Sequence, residues 1–381
     1  MYQFNVPTKF PSDKSNLLDL IETEDDYSSD GKYTKLCRKI LKRQTGALEV
    51  FLTPSGTSAL EMMAQIIELK SDDEVIMPSY TFSSSGMAFI NSGAKIVFVD
   101  INPNSGCILT DDLQRNITSK TKAILSVSYG GNLENQKEIY DLCLKHNIIY
   151  LEDNAQSIGN IGPKKNIKNL AAMSCLSFHS TKNINSGGEG GALLINDNSL
   201  IKKAWNVRDK GTNRQEFLDG DVSKYQWVSK GGSHIMNEVS SSILASQLAM
   251  VSKVNKIRVN LCKQYRKNLS AKIKPFAKIL TESENNTNGH IFALVLKESS
   301  LRNKFLDNLL NLEVQATSHY EPLHSSPAND LYQCQISSSG CKESSFLASR
   351  IVRLPMHNLL VEKDIKIISQ KVIECINMTY K

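Results

Sequence analysis

The chain lacks several patterns that would each have fixed a function class. Its eight cysteines include no Cys-x-x-Cys pair and no histidine at zinc-finger spacing, so they are read as reduced thiols and no metal site is expected. No apolar run approaches the ~18 residues that a membrane span requires. The opening Met1-Tyr2-Gln3-Phe4-Asn5 has no basic stretch followed by an apolar one, which reads as a cytoplasmic protein. A formal charge of +6 is spread over scattered lysines, without the dense basic stripe and interleaved aromatics of a nucleic-acid surface. It suits anionic small molecules better. No Gly-x-Gly-x-x-Gly opens a first βα unit, which argues against a nicotinamide oxidoreductase. No internal repeat is found.

What remains is an ordinary globular composition, 40% hydrophobic and 22% charged over 381 residues. At roughly 100 to 200 residues per domain this length favours two lobes. From about Glu49 to Asn196 short apolar runs alternate with amphipathic ones, the pattern of an α/β fold on a mainly parallel sheet. Strands are expected at Val50–Leu52, Glu74–Met77, Lys95–Val99, Ala123–Ser128, Ile148–Leu151, Met173–Phe178 and Gly191–Ile195. The clearest helix starts at Thr57, with Leu60, Met63, Ala64 and Ile67 on one face.

A polar, glycine-bearing stretch from Lys210 to Asn237 and a long helical pattern from Glu238 to Leu269 bridge the lobes. Beyond them an α+β unit is expected: strand His290–Leu296, helix Leu301–Leu312, a strand near Val314–Thr317, strand Ile351–Leu354 and a helix from Glu362. Ser325–Ser345, rich in Ser, Asn, Gly and Cys, reads as a mobile surface loop. The division is a large domain over 1–250, including an N-terminal arm and the bridge, and a small domain over 251–381.

Two segments carry the chemistry. Glu152-Asp153-Asn154-Ala155-Gln156 and Ser177-Phe178-His179-Ser180-Thr181-Lys182-Asn183 each follow an apolar run, which puts a carboxylate and a lysine at the carboxyl ends of nearby strands. That arrangement suits pyridoxal 5′-phosphate (PLP). Asp153 is costly to bury unpaired, and a protonated pyridine nitrogen is a fitting partner; a helix cap explains it equally well. Lys182 sits in a hydroxyl-rich turn before Gly187-Gly188-Glu189-Gly190-Gly191, and burial there would lower its pKa as imine chemistry requires. Most lysines are simply solvated.

Thr53-Pro54-Ser55-Gly56-Thr57-Ser58 lies between a strand and a helix, so free N–H groups would face a phosphate there. A plain capped turn accounts for the same residues. Phe82 could stack on a flat cofactor or pack in the core. Ser177 could reach the phosphate, and Gln156 the ring hydroxyl.

Taken together, Pro54–Leu60, Glu74–Phe82, Glu152–Gln156, Ser177–Lys182, Gly187–Gly191, His319–His324 and Leu354–His357 resemble the sugar-nucleotide aminotransferases of the DegT/DnrJ/EryC1/StrS family. The resemblance spans nearly the whole chain. It implies the fold-type I PLP architecture, with a large domain around a mainly parallel seven-stranded sheet, a smaller C-terminal α+β domain, and a homodimer with shared active sites. By the same resemblance Lys182 would hold the cofactor, Asp153 would pair the ring nitrogen, Phe82 would cover the ring, and Gln156 would lie near the ring oxygen. Gly56, Thr57 and Ser177 would hold the phosphate. Family 3-dehydratases carry histidine in place of the lysine; here Lys182 is present.

Arg208–Arg214, Val222–Trp227, Gly232–Met236 and Phe4–Pro7 look like the subgroup that moves an amino group from L-glutamate to C4 of dTDP-4-dehydro-6-deoxyglucose. Its product, dTDP-4-amino-4,6-dideoxygalactose, feeds enterobacterial common antigen and related lipopolysaccharide-type surface glycans. A product with the amine at C3, or with the gluco configuration at C4, is the alternative, and a non-catalytic PLP-binding protein is a more distant one that intact Asp153, Gln156 and Lys182 argue against. For the sugar nucleotide the reading points to His319 and Tyr320 and to Lys210, Arg214 and Tyr225; surface or inter-lobe contacts explain each of these as well. Three positions depart from the family. Ser233 stands where many members carry an asparagine that reaches a neighbour's phosphate, Asn154 replaces an alanine, and Ser240-Ser241-Ser242 replaces a glutamine and two alanines.

Overall fold

A computed structural model describes residues 1–23, 27–160, 170–280 and 287–380. Its first seven strands are β1 (Glu49–Thr53), β2 (Glu74–Pro78), β3 (Lys95–Val99), β4 (Thr121–Val127), β5 (Ile149–Asp153), β6 (Met173–Ser177) and β7 (Gly191–Ile195). Four more follow: β8 (Ala277–Ile279), β9 (Ala293–Leu296), β10 (Gln335–Ile336) and β11 (Ile351–Arg353). The large sheet runs β1-β7-β6-β5-β4-β2-β3-β10. It is parallel except at β7, which is antiparallel to both β1 and β6. Parallel strands need crossover connections, and the helices that supply them cover both faces.

That double coverage is why the strands are apolar on both sides of the pleat. Met77, Phe98, Leu125, Leu151 and Leu193 pack on one face with the helix Gly56–Ile66, whose Leu60, Met63 and Ala64 are buried as their helical spacing required. Ile76, Val97, Ile124 and Tyr150 point to the other. A second, three-stranded antiparallel sheet, β11-β9-β8, has its own core around Leu261, Tyr265, Phe292, Phe305 and Ile368. Tyr265 and Phe292 stack there with ring centroids 4.6 Å apart.

The sequence reading is corrected at four places. The large sheet has eight strands, not seven, because β10 pairs in parallel with β3. β10 lies inside Ser325–Ser345, expected as a mobile loop, which also holds the helix Pro327–Tyr332 and the start of the helix Lys342–Ala348. Two carboxylates on and beyond β3 dock this segment. Asp100 accepts bonds from the Glu343 and Ser344 amides (2.9 and 2.8 Å) and from the Ser344 hydroxyl, while Asp112 accepts from Ser337 and Ser339. The strand expected near Val314–Thr317 reduces to single bridges, Tyr2 with Val314 and Thr317 with Arg353. The long helix breaks at Met250 into Glu238–Ala249 and Val251–Ile273. β8 was not anticipated.

No helix among the described residues is long and apolar enough to cross a membrane.

Candidate active site

A cavity of about 350 Å³ opens at the carboxyl ends of the parallel strands and is closed on the far side by residues of the smaller sheet. Gly56, Thr57, Phe82, Asp153, Gln156, Ser177, Lys182, His319 and Tyr320 all border it, although they come from segments far apart in sequence. All but His319 and Tyr320 lie at or just beyond the carboxyl end of a strand of the large sheet, where the backbone leaves the ladder and its side chains and N–H groups face the crevice; those two follow the single bridge at Thr317.

β5 ends on two consecutive carboxylates that the pleat sends to opposite sides. Glu152 is buried among Gln136, Tyr150, Asn154 and Ser174, and burial raises its pKa. Asn154, one of the departures from the family, thus serves the core side of this pair: its Nδ2 donates to Glu152 at 2.7 Å and its Oδ1 accepts from Ser128. Asp153 borders the cavity instead, accepting bonds from the Ser85 hydroxyl at 2.7 Å, the Ala155 amide at 3.1 Å and the Cys175 thiol at 3.4 Å. The Asp153 carboxylate is therefore oriented by three neighbours and still bounds the open space.

Lys182 lies in the turn beyond β6, with its amide bonded to the His179 carbonyl at 2.9 Å. The residue is half-buried and lines the cavity. Burial pushes its pKa below that of an ordinary lysine; Asp153 opposes the shift and the Arg353 charge adds to it. An amine in this setting is neutral at lower pH than a solvated one, which is what a lysine that must act as nucleophile or base needs.

The turn after β1 is a capped helix start that also borders the cavity. Ser55 caps the helix, accepting from the Ser58 amide at 3.0 Å, and Thr57 exchanges a 2.7 Å bond with Ser84. The helix start still faces the cavity. Two glycines let backbones meet there. A Cβ on Gly56 would come 3.0 Å from the Ser177 Cβ, and one on Gly191 would come 2.4 Å from the Ser55 carbonyl group. Phe82 is 56% exposed, so its ring is not core; it borders the cavity 6.0 Å from Tyr320.

On the opposite wall, Gln156 accepts from the Gly130 amide (2.6 Å) and donates to the Tyr320 hydroxyl (2.8 Å). Tyr320 stacks on His319 at 3.8 Å, and His319 shares a hydrogen bond with the Tyr129 hydroxyl. Burial, with the Arg353 and Lys182 charges, drives the His319 pKa well below the usual histidine value, so its ring is neutral.

Four expected site residues are not brought into this cavity within one chain. Lys210 and Arg214 both pair with Asp209, at 2.9 and 3.1 Å. Tyr225 is exposed and packs on Phe217, and Ser233 is exposed beside a single bridge to Asp209. Conversely, Phe4, Asn5, Ser84, Arg258, His290 and Arg353 line the cavity and were missed. Phe4 and Asn5 lay inside a quoted motif and Arg353 inside an expected strand, but nothing local marked them as facing the same space as Lys182.

Residues 12–373 match the DegT/DnrJ/EryC1/StrS aminotransferase family. A Helicobacter pylori UDP-4-amino-4,6-dideoxy-N-acetyl-beta-L-altrosamine transaminase is 25% identical over 98% of this chain and 97% of its own. The UDP-2-acetamido-2-deoxy-3-oxo-D-glucuronate aminotransferase of Pseudomonas aeruginosa is 28% identical over 85% of each chain. Among solved structures, Helicobacter pylori PseC, an aminotransferase of pseudoaminic acid biosynthesis, superposes with a TM-score of 0.86 over 99% of both chains at 24% identity. With its family pattern matched from end to end and its lysine and aspartate meeting in one crevice, this chain belongs to the DegT/DnrJ/EryC1/StrS aminotransferase family.

Proposed function

We propose that the protein is a PLP-dependent sugar-nucleotide aminotransferase. It takes the amino group of L-glutamate and places it on C4 of dTDP-4-dehydro-6-deoxy-D-glucose, giving dTDP-4-amino-4,6-dideoxy-D-galactose and 2-oxoglutarate. The observation that carries the reading is that Lys182, with its lowered pKa, and Asp153, with its carboxylate held by Ser85 and Ala155, border the same cavity. The finer assignment of sugar, nucleotide and surface-glycan pathway rests on the subgroup motifs. Relatives named for UDP-linked sugars support the nucleotide-sugar class more broadly.

The cavity fits the cofactor. Gly56 and Ser177 approach too closely for a side chain between them, the helix N-terminus and the Thr57 hydroxyl face the space, and Phe82 offers an exposed ring. In this reading Gly56, Thr57 and Ser177 hold the phosphate, Phe82 covers the ring, Asp153 pairs its nitrogen, Gln156 lies by its oxygen and Lys182 anchors it. Bound there, PLP supplies an electron sink for a carbon next to nitrogen. Lys182 Nζ takes the proton from the donor α-carbon, and its lowered pKa keeps it able to accept. Asp153 keeps its partner cationic, and the wall of His319 and Tyr320 adds no second charge at neutral pH.

The active assembly is proposed to be a homodimer. Lys210, Arg214, Tyr225 and Ser233 lie outside their own chain's cavity, and Phe217, Leu218, Trp227 and Val228 beside them are exposed apolar residues, which suits a segment that reaches a partner's site. The large domain is taken as 1–250 and the small as 251–381.

The test is an assay of the purified protein with PLP, L-glutamate and the dTDP-ketosugar, with the product solved by NMR. An axial C4 amine supports the assignment. An equatorial C4 amine or a C3 amine replaces the sugar assignment and keeps the transamination, and no amine with any ketosugar sinks the reading.

A further inference from the structure

Arg353 ends β11 and adds a guanidinium to the cavity wall, alongside Lys182 and Arg258. Its backbone is fixed by bonds with Thr317 in both directions, at 2.7 and 3.1 Å. The guanidinium lies over the Phe4 ring, 4.9 Å from its centroid. That platform is itself held, since the Phe4 amide donates to Gln315 and the Phe4 carbonyl accepts from the Met356 amide. The Nε of Arg353 is sealed from solvent and has no hydrogen-bond partner, and none of the ion pairs formed among the described residues uses this arginine. Its charge is felt by Lys182, His319 and His290, whose pKa values it lowers in addition to the larger effect of burial.

A buried N–H without a partner costs free energy, and a guanidinium presents paired donors matched to the two oxygens of a carboxylate. We propose that Arg353 binds a carboxylate of the amino donor, which makes this cavity select an anionic amino acid over an uncharged amine. The two substrates of the reaction occupy one cavity in turn. The donor brings a carboxylate next to its reacting carbon, whereas the sugar brings hydroxyls there and carries its diphosphate several bonds away. The Arg353 guanidinium, set on an aromatic platform at the cavity wall, suits the first, whereas the Arg258 guanidinium is already bonded to the Gly289 and His290 carbonyls. The neutral His319 and Tyr320 beside it suit the second.

This inference rests on the transaminase reading, and two measurements separate them. Glutarate, a dicarboxylate without an amine, is titrated calorimetrically into cofactor-loaded wild type, Arg353→Gln and Arg353→Lys. Wild type should bind it, the glutamine variant roughly 30-fold or more weaker, as expected for truncating a buried charge pair, and the lysine variant in between. In steady state the KM for L-glutamate should rise by a like factor in Arg353→Gln, while the KM for the sugar nucleotide stays within about 3-fold. Partial recovery in Arg353→Lys separates lost recognition from lost folding. The inference is overturned if wild type does not bind glutarate, if the glutamate KM is unchanged, or if the sugar-nucleotide KM rises more. If glutarate binds through Arg353 but no amine is transferred, the carboxylate site stands and the transaminase reading falls.

Discussion

Gln156 and Tyr320 are joined by a 2.8 Å hydrogen bond that ties the loop after β5 to the segment leading toward the small sheet. Tyr320 is also stacked on His319, so its ring is positioned from two sides. Tyr320→Phe should keep the stack and lose the bond. We expect a stability loss of about 1 kcal/mol and a rise of several-fold in the KM for the ketosugar, read by denaturant titration and initial rates. An unchanged KM would mean that the bond serves folding alone.

Lys182→Ala should abolish turnover while the variant remains folded. In the cofactor-free protein the depressed pKa has a second consequence. Between the folded and unfolded values the unfolded chain holds the proton and the folded chain does not, so this group makes stability rise with pH through that window. Selective labelling of Lys182 by trinitrobenzenesulfonate, followed by mass spectrometry across pH, should show a midpoint below that of the surface lysines. A midpoint at or above theirs would contradict the burial argument.

His234 gives a lower window. Its Nδ1 meets the Ser58 hydroxyl at 2.6 Å, its Nε2 is buried without a partner, and burial pushes its pKa down to about 4. The unfolded chain binds its proton near 6.5 and the folded chain only near 4, so stability should fall as pH drops through that range. The His234 share is on the order of 3 kcal/mol. In His234→Gln the dependence of the denaturation midpoint on pH between 4 and 6.5 should flatten; an unaltered slope would count against it.

Gly191→Ala asks two backbones to separate. Thr53 pairs with Gly191 in the ladder, and the added methyl would stand 2.4 Å from the Ser55 carbonyl group, which cannot rotate away. Loss of PLP affinity by at least about tenfold is expected, with destabilisation of about 1–3 kcal/mol. Spectrophotometric PLP titration and thermal melting check both.

Asp100→Ala should release the segment after β10. Four donors, the Glu343 and Ser344 amides, the Ser344 hydroxyl and the Ile101 amide, would lose their acceptor, at a cost of about 2–4 kcal/mol. Hydrogen exchange should rise over 335–345 while β4 and β5 stay protected. Uniform exchange across the large sheet would show that the segment is integral to it.

Much of this protein is written in local pattern. The apolar runs of β1 to β7 were legible because a strand covered on both faces must be apolar on both sides. The helix from Gly56 followed from its spacing and its serine cap. Asp153 and Lys182 were singled out because a carboxylate and a lysine near the carboxyl ends of neighbouring strands suit one crevice.

Tertiary contact decided the rest. β10 is two residues long, and it is a strand only because the free edge of β3 and the carboxylates of Asp100 and Asp112 wait for it across 225 to 244 residues of chain. Arg353 and Phe4 face each other because the N-terminal segment and β11 meet at the cavity, a closure that no local window contains. Periodicity reports which side of an element is buried. Which distant side chain shares that space is fixed by packing of the assembled fold, and the character of this cavity was settled at that level.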